Sequence, residues 1–549
     1  MRSLMALTLF SALLLAQVPA ELIPRIIEEG KSPKGEAMKH LDELVNGIGP
    51  RLTGSKNLTA ACDWARDKFA SYGLAARIEP WGEVAVGFDR GPHAGVMFTS
   101  DGDGRRRGEN LVFGTNAWTA GTDGWQQGAA VLSPKDDKQM AAFAAAAKGA
   151  WIVSRSGSSL RGKALADKAA ELGALGVVRD GGSLLITSGN IQTQWEKWPK
   201  LPSINVLSKQ FASLVKQLEA GATVELGFNI DNRLTKGPVV VSNVIADIVG
   251  TEKPDEYVMI GGHIDSWDGA TGTTDNGTGT ATTIEAARIL AKVGARPRRT
   301  IRFMLWSGEE QGLLGSDAHA EKHRDEMSKI SVCLVHDGGT NYVSGIIGVP
   351  EMIPIFEDIL APVKTLDALK PFTIRKVDRL PMGGGSDHAS YTARGAPGIF
   401  WNQAGTANYT YTHHTQHDVY GAAVPEYQSH TSTVIALSAL AIANLPDLLP
   451  RGTPAAPNAA TARRRLGVQF ALDAKGLLVE EVVIGSRAAA AGLKAGDKLM
   501  KVDASIVENR DQLSSALNVG GVEKTLTIER AGKEMVLALS FATGADSRP

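Results

Sequence analysis

The stretch that most constrains the fold runs from Tyr257 to Asn276 and reads Y-V-M-I-G-G-H-I-D-S-W-D-G-A-T-G-T-T-D-N. Its apolar start is typical of a strand buried on both faces, and the strand then delivers His263 and Asp265 at its carboxyl end. In open α/β sheets the ligand crevice lies beyond the carboxyl ends of the strands. Histidine and carboxylates gathered there indicate a cradle for a divalent metal, although H-x-D by itself is equally compatible with a surface turn.

The chain of 549 residues is too long for one hydrophobic core, so several domains are expected. Strand–helix alternation from Val239 predicts a mostly parallel mixed sheet between layers of helices. The amino-terminal part is helical, apart from a Gly/Pro-rich loop at 47–55 that reads as an ordinary turn with no local sign of chemistry. We predict a signal peptide (1–20), an α/β domain (21–80 and 240–448), a mainly β insert (81–239), a linker (449–462) and a carboxyl-terminal β module (463–542).

The first twenty residues have the pattern of a secretory signal. Arg2 gives a positive start, Leu4 to Leu15 an apolar core, and Val18-Pro19-Ala20 a small-residue cleavage pattern. The core is too short to span a bilayer, and no later run has that length without charge. The net charge of −1 gives no indication of a nucleic-acid or membrane-surface partner. We therefore expect an exported protein without a membrane span, either periplasmic or secreted.

Further polar groups follow other predicted strands or fall late in the chain. They contribute Glu309 and Glu310 (S-G-E-E-Q-G), Asp337 (H-D-G-G), Asp387 and His388 (G-S-D-H), and His413 and His414 (T-H-H-T-Q-H-D). Adjacent glutamates at a strand end cannot point the same way, so one can bind a metal while the other acts as a general base. The alternatives are a charged helix N-terminus for the glutamates and a surface cluster for the histidines.

The kinds of ligand narrow the choice of metal. Histidines and carboxylates without cysteine suit zinc, with manganese or cobalt as substitutes. The carboxylates are too numerous for one tetrahedral ion, so two ions about 3.5–4 Å apart that share one carboxylate fit better. Asp275 lies in a glycine-rich loop at a predicted helix N-terminus, which makes it the obvious bridge.

Taken together, G-G-H-I-D-S-W-D…D-N-G-T-G, S-G-E-E-Q-G-L-L-G-S, the strand-end aspartate, G-S-D-H and H-T-x-x-D resemble the di-zinc exopeptidases related to glutamate carboxypeptidase and bacterial leucyl aminopeptidases. The D-S-W-D form is most like the plasma glutamate carboxypeptidase (carboxypeptidase Q) branch. The middle module is similar to a protease-associated domain, and the tail to a PDZ domain that takes a carboxyl-terminal peptide at Leu466-Gly467-Val468.

The resemblance implies a role for each residue. The two zinc sites would be His263, Asp275 and Asp337 for one ion and Asp275, Glu310 and His414 for the other. Glu309 would be the general base toward a water held between the ions, and Asp265 would orient His263. Asp387 and His388 would lie behind the ligands. His413 stands where some relatives have a tyrosine that is thought to stabilise the oxyanion.

The expected function is that of an exported zinc exopeptidase acting on peptides or dipeptides, with the amino terminus favoured as the end that is attacked. Two alternatives stay open. Glutaminyl cyclisation uses the same fold, usually on a compact domain with one zinc, so the insert and tail argue against it. A receptor-like binding protein would have lost metal ligands, and none is lost here. The tail also has an alternative role as a packing or homodimer module that binds no peptide.

Overall fold

The computed structural model describes residues 18–31, 34–100, 105–192, 194–381, 383–452, 466–470, 476–482, 487–507, 512–513, 516–517, 521 and 523–541. These residues form two compact units, one drawn from 1–127, 180–213 and 226–454 and the other from 128–179, 214–225 and 455–549. The predicted signal peptide up to residue 17 and the predicted linker from residue 453 lie outside the described residues.

Helices and strands alternate through most of the described part of the chain. The α-helices α1 to α14 are Leu22–Gly30, Ala37–Asp42, Lys56–Ser71, Met140–Ala147, Gly162–Glu171, Ser208–Glu219, Thr278–Lys292, Leu314–Lys322, Ile353–Ile359, Ala361–Lys364, His388–Thr392, Tyr409–Thr412, Pro425–Ala443 and Arg487–Ala490. The strands β1 to β21 are Ala75–Ser100, Arg106–Asn110, Phe113–Thr115, Gln126–Leu132, Trp151–Val153, Gly176–Asp180, Ser203–Val206, Val224–Ile248, Lys253–His263, Arg299–Trp306, Ile330–Val335, Tyr342–Gly348, Thr373–Lys376, Gly398–Phe400, Asn402–Ala404, Val468–Phe470, Leu477–Val482, Lys498–Val502, Ser505–Ile506, Glu523–Arg530 and Lys533–Ser540. Short π-helical and 3₁₀ turns lie between them, including Thr273–Gly277 before α7.

The first unit is built on a mixed sheet in the order β14-β11-β9-β10-β8. The first four strands are parallel, and β8 pairs antiparallel with β10. The long strand β1 pairs with β8 and, antiparallel, with β2. This confirms the predicted α/β class with a mostly parallel mixed sheet.

Strand β9 shows why its apolar run is continuous rather than alternating. Val258 and Ile260 pack into the core on the face of the sheet that carries α7 and α13. Tyr257 and Met259 pack on the opposite face with residues of α8 and α11. A strand covered on both faces needs apolar side chains at every position, as the sequence predicted.

Helix α13 lies deep inside the first unit. Every residue from Tyr427 to Ala443 except Ser429 is buried, including Ser432, Ser438 and both threonines. A helix without a polar face is stable only when neighbouring elements surround it. Together with α7, it forms the helical layer behind the strand ends that carry the polar residues.

In the second unit, β4, β5 and β6 are parallel, and α4 and α5 connect them in the chain. The carboxyl-terminal module is a separate sheet in the order β16-β17-β18-β20-β21, with β19 beside β18. Its core includes Leu499, Leu526 and Ile528. Among the residues that the structure describes, no helix has both the length and the apolar character needed to cross a membrane.

Candidate active site

Three neighbouring strands deliver the predicted site residues to one edge of the sheet. Strand β9 ends at His263, which pairs with Trp306 at the end of β10. Strand β11 ends at Val335, opposite Gly261. The segments that follow β10 and β11 carry Glu309, Glu310 and Asp337, so parallel strands in register bring these side chains together.

The first group of ligand atoms surrounds His263, whose side chain is fully buried. Its Nε2 lies 3.2 Å from Asp337 Oδ1 and 3.3 Å from Asp275 Oδ1. Glu309 Oε2 is farther from the same nitrogen, at 4.0 Å. His263, Asp275 and Asp337 thus offer three ligand atoms at a spacing suited to one metal ion.

The second group surrounds His414. Its Nε2 lies 3.0 Å from Asp275 Oδ2 and 2.9 Å from Glu310 Oε2. Asp275 therefore belongs to both groups, with one carboxylate oxygen facing each histidine. This is the arrangement that a shared, bridging carboxylate requires.

The electrostatics of the site indicate a missing positive charge. Burial, reinforced by Asp275, raises the pKa of the Glu310 carboxyl to about 8. Burial also raises the pKa of Glu309 well above its usual range. Asp275 Oδ2 is buried yet accepts no well-aligned hydrogen bond from the described residues. Four carboxylates facing two imidazoles carry more negative charge than these histidines balance, and divalent cations would relieve that excess. The donor set therefore fits the predicted metal.

Asp265 fixes the backbone that carries the two glutamates. Its Oδ1 accepts the backbone N–H of Glu309 and its Oδ2 that of Glu310, both at 3.3 Å. Oδ2 also accepts the Thr53 hydroxyl at 3.2 Å. The Nδ1 of His263 lies 3.0 Å from the Asp265 carbonyl oxygen and 3.5 Å from its carboxylate. The nearest partner of His263 Nδ1 is thus a backbone carbonyl, and the carboxylate positions the glutamates.

Asp418 holds the backbone that carries Asp275, as Asp265 holds the backbone of the two glutamates. Its carboxylate accepts the backbone N–H of Thr274 at 2.6 Å and that of Asp275 at 3.2 Å. Asp418 was not among the site residues predicted from the sequence, although it ends the H-T-x-x-D motif that begins at His414. The spacing of that motif was the signal that could have identified it.

Arg51 is a second residue that the sequence analysis missed. Its fully buried guanidinium donates to the carbonyl oxygens of Ile264, Thr271 and Gly272 at 2.6–3.0 Å, and to that of Gly49 at 3.0 Å. Burial lowers its pKa to about 10. The predicted turn at 47–55 therefore also holds the loop between His263 and Asp275.

The remaining predicted residues lie around this centre. His413 stacks on His414 with ring centroids 3.8 Å apart, and its Nε2 is 3.7 Å from Asp275 Oδ2. Asp387 is fully buried, and burial raises its pKa to about 7. His388 is also buried, with its ring against Phe400. In the carboxyl-terminal module, Leu466 is buried, Gly467 has a positive φ of 76° and Val468 begins β16.

A short segment of the predicted insert contacts the His414 loop. The Thr187 N–H donates to the carbonyl oxygen of His414 at 2.8 Å, and Ile186 forms an antiparallel bridge with Thr415. The Leu185 N–H donates to the Gln416 side chain at 2.9 Å. His414 itself has a positive φ of 61°. These contacts hold a backbone conformation that a non-glycine residue rarely adopts by itself.

Comparison with known proteins agrees with this geometry. Residues 243–438, which include both groups of ligand atoms, match the model of peptidase family M28. Carboxypeptidase Q of Homo sapiens is 26% identical over 449 residues, covering 79% of this chain and 90% of that protein. The Mus musculus protein is 26% identical over 435 residues, covering 76% and 88%.

Among solved structures, the crystal structure of a peptidase M28 precursor from Shewanella amazonensis has a TM-score of 0.56 at 25% identity. The match covers 78% of this chain and 98% of that one. The resemblance seen in the sequence is thereby confirmed: residues 243–438 match the model of peptidase family M28, in a chain that is similar to carboxypeptidase Q over most of its length.

Proposed function

We propose that this protein is a zinc-dependent exopeptidase that removes amino-terminal residues from peptides or cleaves dipeptides. The observation that carries the proposal is the shared carboxylate of Asp275, which lies 3.3 Å from His263 Nε2 and 3.0 Å from His414 Nε2. Membership of residues 243–438 in a peptidase family supports hydrolysis of a peptide bond.

The ligands suit two zinc ions, because they are imidazoles and carboxylates without a thiolate. His263, Asp275 and Asp337 would hold one ion, and Asp275, Glu310 and His414 the other. Bound zinc supplies a Lewis acid that polarises the scissile carbonyl and lowers the pKa of water. Manganese or cobalt would bind the same donors.

Glu309 belongs to neither group of ligands and is the proposed general base. Its Oε2 lies 4.0 Å from His263 Nε2, and Asp265 anchors its backbone N–H. From this position the carboxylate accepts the proton of the attacking water and passes it to the leaving amine. His413, beside Asp275, is the proposed donor toward the oxygen that becomes negative in the transition state.

A cavity of about 380 Å³ borders the site at Thr274 and Thr412. Tyr409, Tyr411 and Asn341 contribute to its lining, which contains one histidine, His417, and no lysine, arginine, aspartate or glutamate. A pocket of this character accommodates an uncharged substrate side chain and offers no lysine or arginine to a substrate carboxylate. The lining thus gives no support for capture of a chain by a free carboxyl terminus.

A substrate screen tests the proposal. Aminoacyl-p-nitroanilides, free dipeptides and N-blocked peptides with a free carboxyl terminus distinguish an aminopeptidase, a dipeptidase and a carboxypeptidase. We expect release of uncharged amino-terminal residues and little cleavage of N-blocked peptides. Cleavage of the N-blocked peptides alone would contradict the assigned terminus, and cyclisation of glutaminyl peptides without hydrolysis would contradict the reaction class.

Metal analysis tests the proposed centre independently of the substrate. The variant His323→Ala suits this measurement, because His323 belongs to a separate group of metal-binding side chains outside the active site. In this variant we expect about two zinc ions per desalted chain at full activity. One tightly held ion at full activity would contradict the shared-carboxylate arrangement.

The predicted domain boundaries and roles remain part of the proposal. The signal peptide would direct export to the periplasm or the medium. The module after residue 463 would bind the carboxyl terminus of a peptide at Leu466-Gly467-Val468, where the positive φ of Gly467 bends the chain into β16. Titration with peptides that differ only in a free or amidated carboxyl terminus tests this: equal affinity would argue against the PDZ-like role.

A further inference from the structure

A second group of metal-binding side chains lies in the first unit and shares no residue with the candidate active site. Glu79 comes from β1, His319 from α8 and His323 directly follows α8. One ligand atom from each residue lies within 4.8 Å of the others. The two histidines are four positions apart, so a helix presents them on one face, and their rings stack at 4.4 Å.

Two ligand atoms in this group are buried without a partner. Glu79 Oε1 and His319 Nε2 accept or donate no hydrogen bond among the described residues, although buried polar atoms are almost always paired. They lie 3.8 Å apart, too far for a direct hydrogen bond. Two ligands at about 2.0–2.2 Å from one tetrahedral zinc ion are about 3.3–3.6 Å apart, only slightly less than the spacing of these two atoms. A cation between them would satisfy both atoms with little movement.

His323 completes the set from the more accessible side. Its Nε2 lies 2.9 Å from Glu79 Oε2, and its side chain retains 20% exposure. Lys322 Nζ donates to the same oxygen at 3.0 Å, but its side chain is 56% exposed. The lysine is thus a competitor that can swing into solvent when a metal binds.

The environment of His319 permits a metal at Nε2. Its Nδ1 lies 2.9 Å from the Tyr391 hydroxyl, which also accepts the indole N–H of Trp306. A phenol oxygen has two lone pairs, so it can accept both N–H groups and leave the Nε2 lone pair free. Burial lowers the pKa of His319 to about 3, which keeps its ring neutral.

We propose that Glu79, His319 and His323 bind a divalent first-row transition-metal ion of the zinc type at a site separate from the catalytic centre. Two imidazoles and one carboxylate make three ligands and leave the fourth position to solvent. The bound ion joins helix α8, which begins shortly after Glu310, to strand β1. We expect it to stabilise this part of the unit without entering the reaction.

The test uses the full-length protein, stripped with a chelator and equilibrated with zinc at a series of buffered free concentrations. Bound zinc is measured by mass spectrometry for the wild type, His323→Ala and Lys322→Ala. We expect His323→Ala to weaken the binding of one equivalent of zinc by at least about 10–100-fold. Lys322→Ala should strengthen the binding of that same equivalent, because the lysine no longer competes with the metal for Glu79 Oε2.

Two further measurements guard the interpretation. His323→Ala should keep dipeptide turnover, and added zinc should raise its melting temperature less than that of the wild type. The difference between these variants does not depend on how many ions the active site holds, so it can fail while the proposed function stands. Identical zinc binding by the wild type and His323→Ala would overturn the site. Weakening by both substitutions would also overturn it, since it would indicate a lysine–carboxylate–histidine network.

Discussion

Glu309 and Glu310 are consecutive in the chain, yet their carboxylates face different histidines. Glu310 Oε2 lies 2.9 Å from His414 Nε2, whereas the nearest histidine nitrogen to Glu309 Oε2 is His263 Nε2 at 4.0 Å. Asp265 holds both backbone N–H groups with its two carboxylate oxygens. This difference in position supports the proposed roles, with Glu310 as a metal ligand and Glu309 as the general base.

The variant Glu309→Gln should keep its metal and its fold while turnover collapses. The amide preserves the size of the side chain but cannot accept the proton of the attacking water. General-base help is commonly worth about 10²–10⁴-fold in rate, so kcat should fall by at least that much. Zinc content and melting temperature measured beside kcat check the prediction, and added zinc should not restore activity.

The variant Glu310→Gln should instead lose metal, because an amide is a poorer zinc ligand than a carboxylate. Bound zinc should fall by about one equivalent after desalting, and excess zinc should partly restore activity. Titration of activity against free zinc compares the two variants directly. The assignment of roles fails if Glu309→Gln is the variant that loses zinc.

The variant Arg51→Lys should destabilise the first unit and lower its metal content. Lysine keeps the charge but lacks the planar fork that reaches four carbonyl oxygens. Each buried carbonyl left unpaired costs about 1–3 kcal/mol, so we expect a loss of roughly 3 kcal/mol or more in the free energy of unfolding. Denaturant unfolding measures it.

Arg66→Lys is the matched control, since Arg66 is partly exposed and pairs with Asp63 and Asp67 at the surface. It should lower the free energy of unfolding far less than Arg51→Lys, because exposed ion pairs contribute little. Equal losses for the two variants would mean that the carbonyl contacts of Arg51 contribute little.

His430 should make the protein less stable in mild acid. Burial, with Lys370 nearby, lowers its pKa to about 4 from an ordinary value near 6.5. The unfolded chain therefore binds the proton first, and the stabilising contribution present above pH 6.5 is lost as the pH falls toward 4. Asp367 also faces this histidine and partly offsets the shift.

In the variant His430→Phe, the free energy of unfolding should depend less on pH than in the wild type. Between pH 7 and pH 5, the free energy of unfolding of the wild type should fall by up to about 2 kcal/mol more than that of the variant. Urea unfolding at the two pH values measures the difference. An equal fall in the free energy of unfolding for the two proteins would rule out His430 as the source of the pH dependence.

A chain ending at Gly452 should retain activity on dipeptides. Leu449 donates its backbone N–H to Ser331 Oγ at 3.1 Å, and Arg451 donates to the carbonyl oxygens of Ser328 and Ile330 at 2.8 and 2.9 Å. These contacts tie the segment to the first unit, so the cut belongs after them. Kinetics on dipeptides and on longer peptides should separate the two substrate classes, with loss confined to the longer ones. A truncated protein that aggregates or has no dipeptidase activity would show that the tail module supports the catalytic domain.

Much of the site was predictable because its signals are local in the chain. The apolar run before His263, the strand before Glu309 and the strand before Asp337 each mark a carboxyl end of a parallel strand. Parallel strands in one sheet place such ends together, so the sequence indicated that these residues would meet. It also indicated a buried α/β sheet, since Tyr257 to Ile260 has no polar alternation.

Only the tertiary structure decided how the buried polar groups are satisfied. Arg51 donates to carbonyl oxygens more than 210 positions away, and Thr187 to the carbonyl oxygen of His414. Likewise, the i, i+4 spacing of His319 and His323 is visible in the sequence, but their partner Glu79 is not. Hydrophobic periodicity records which face of an element is buried, a property of neighbouring residues. The partner of a buried charge or carbonyl is set by which distant segments pack against it, and no local pattern in the chain encodes that.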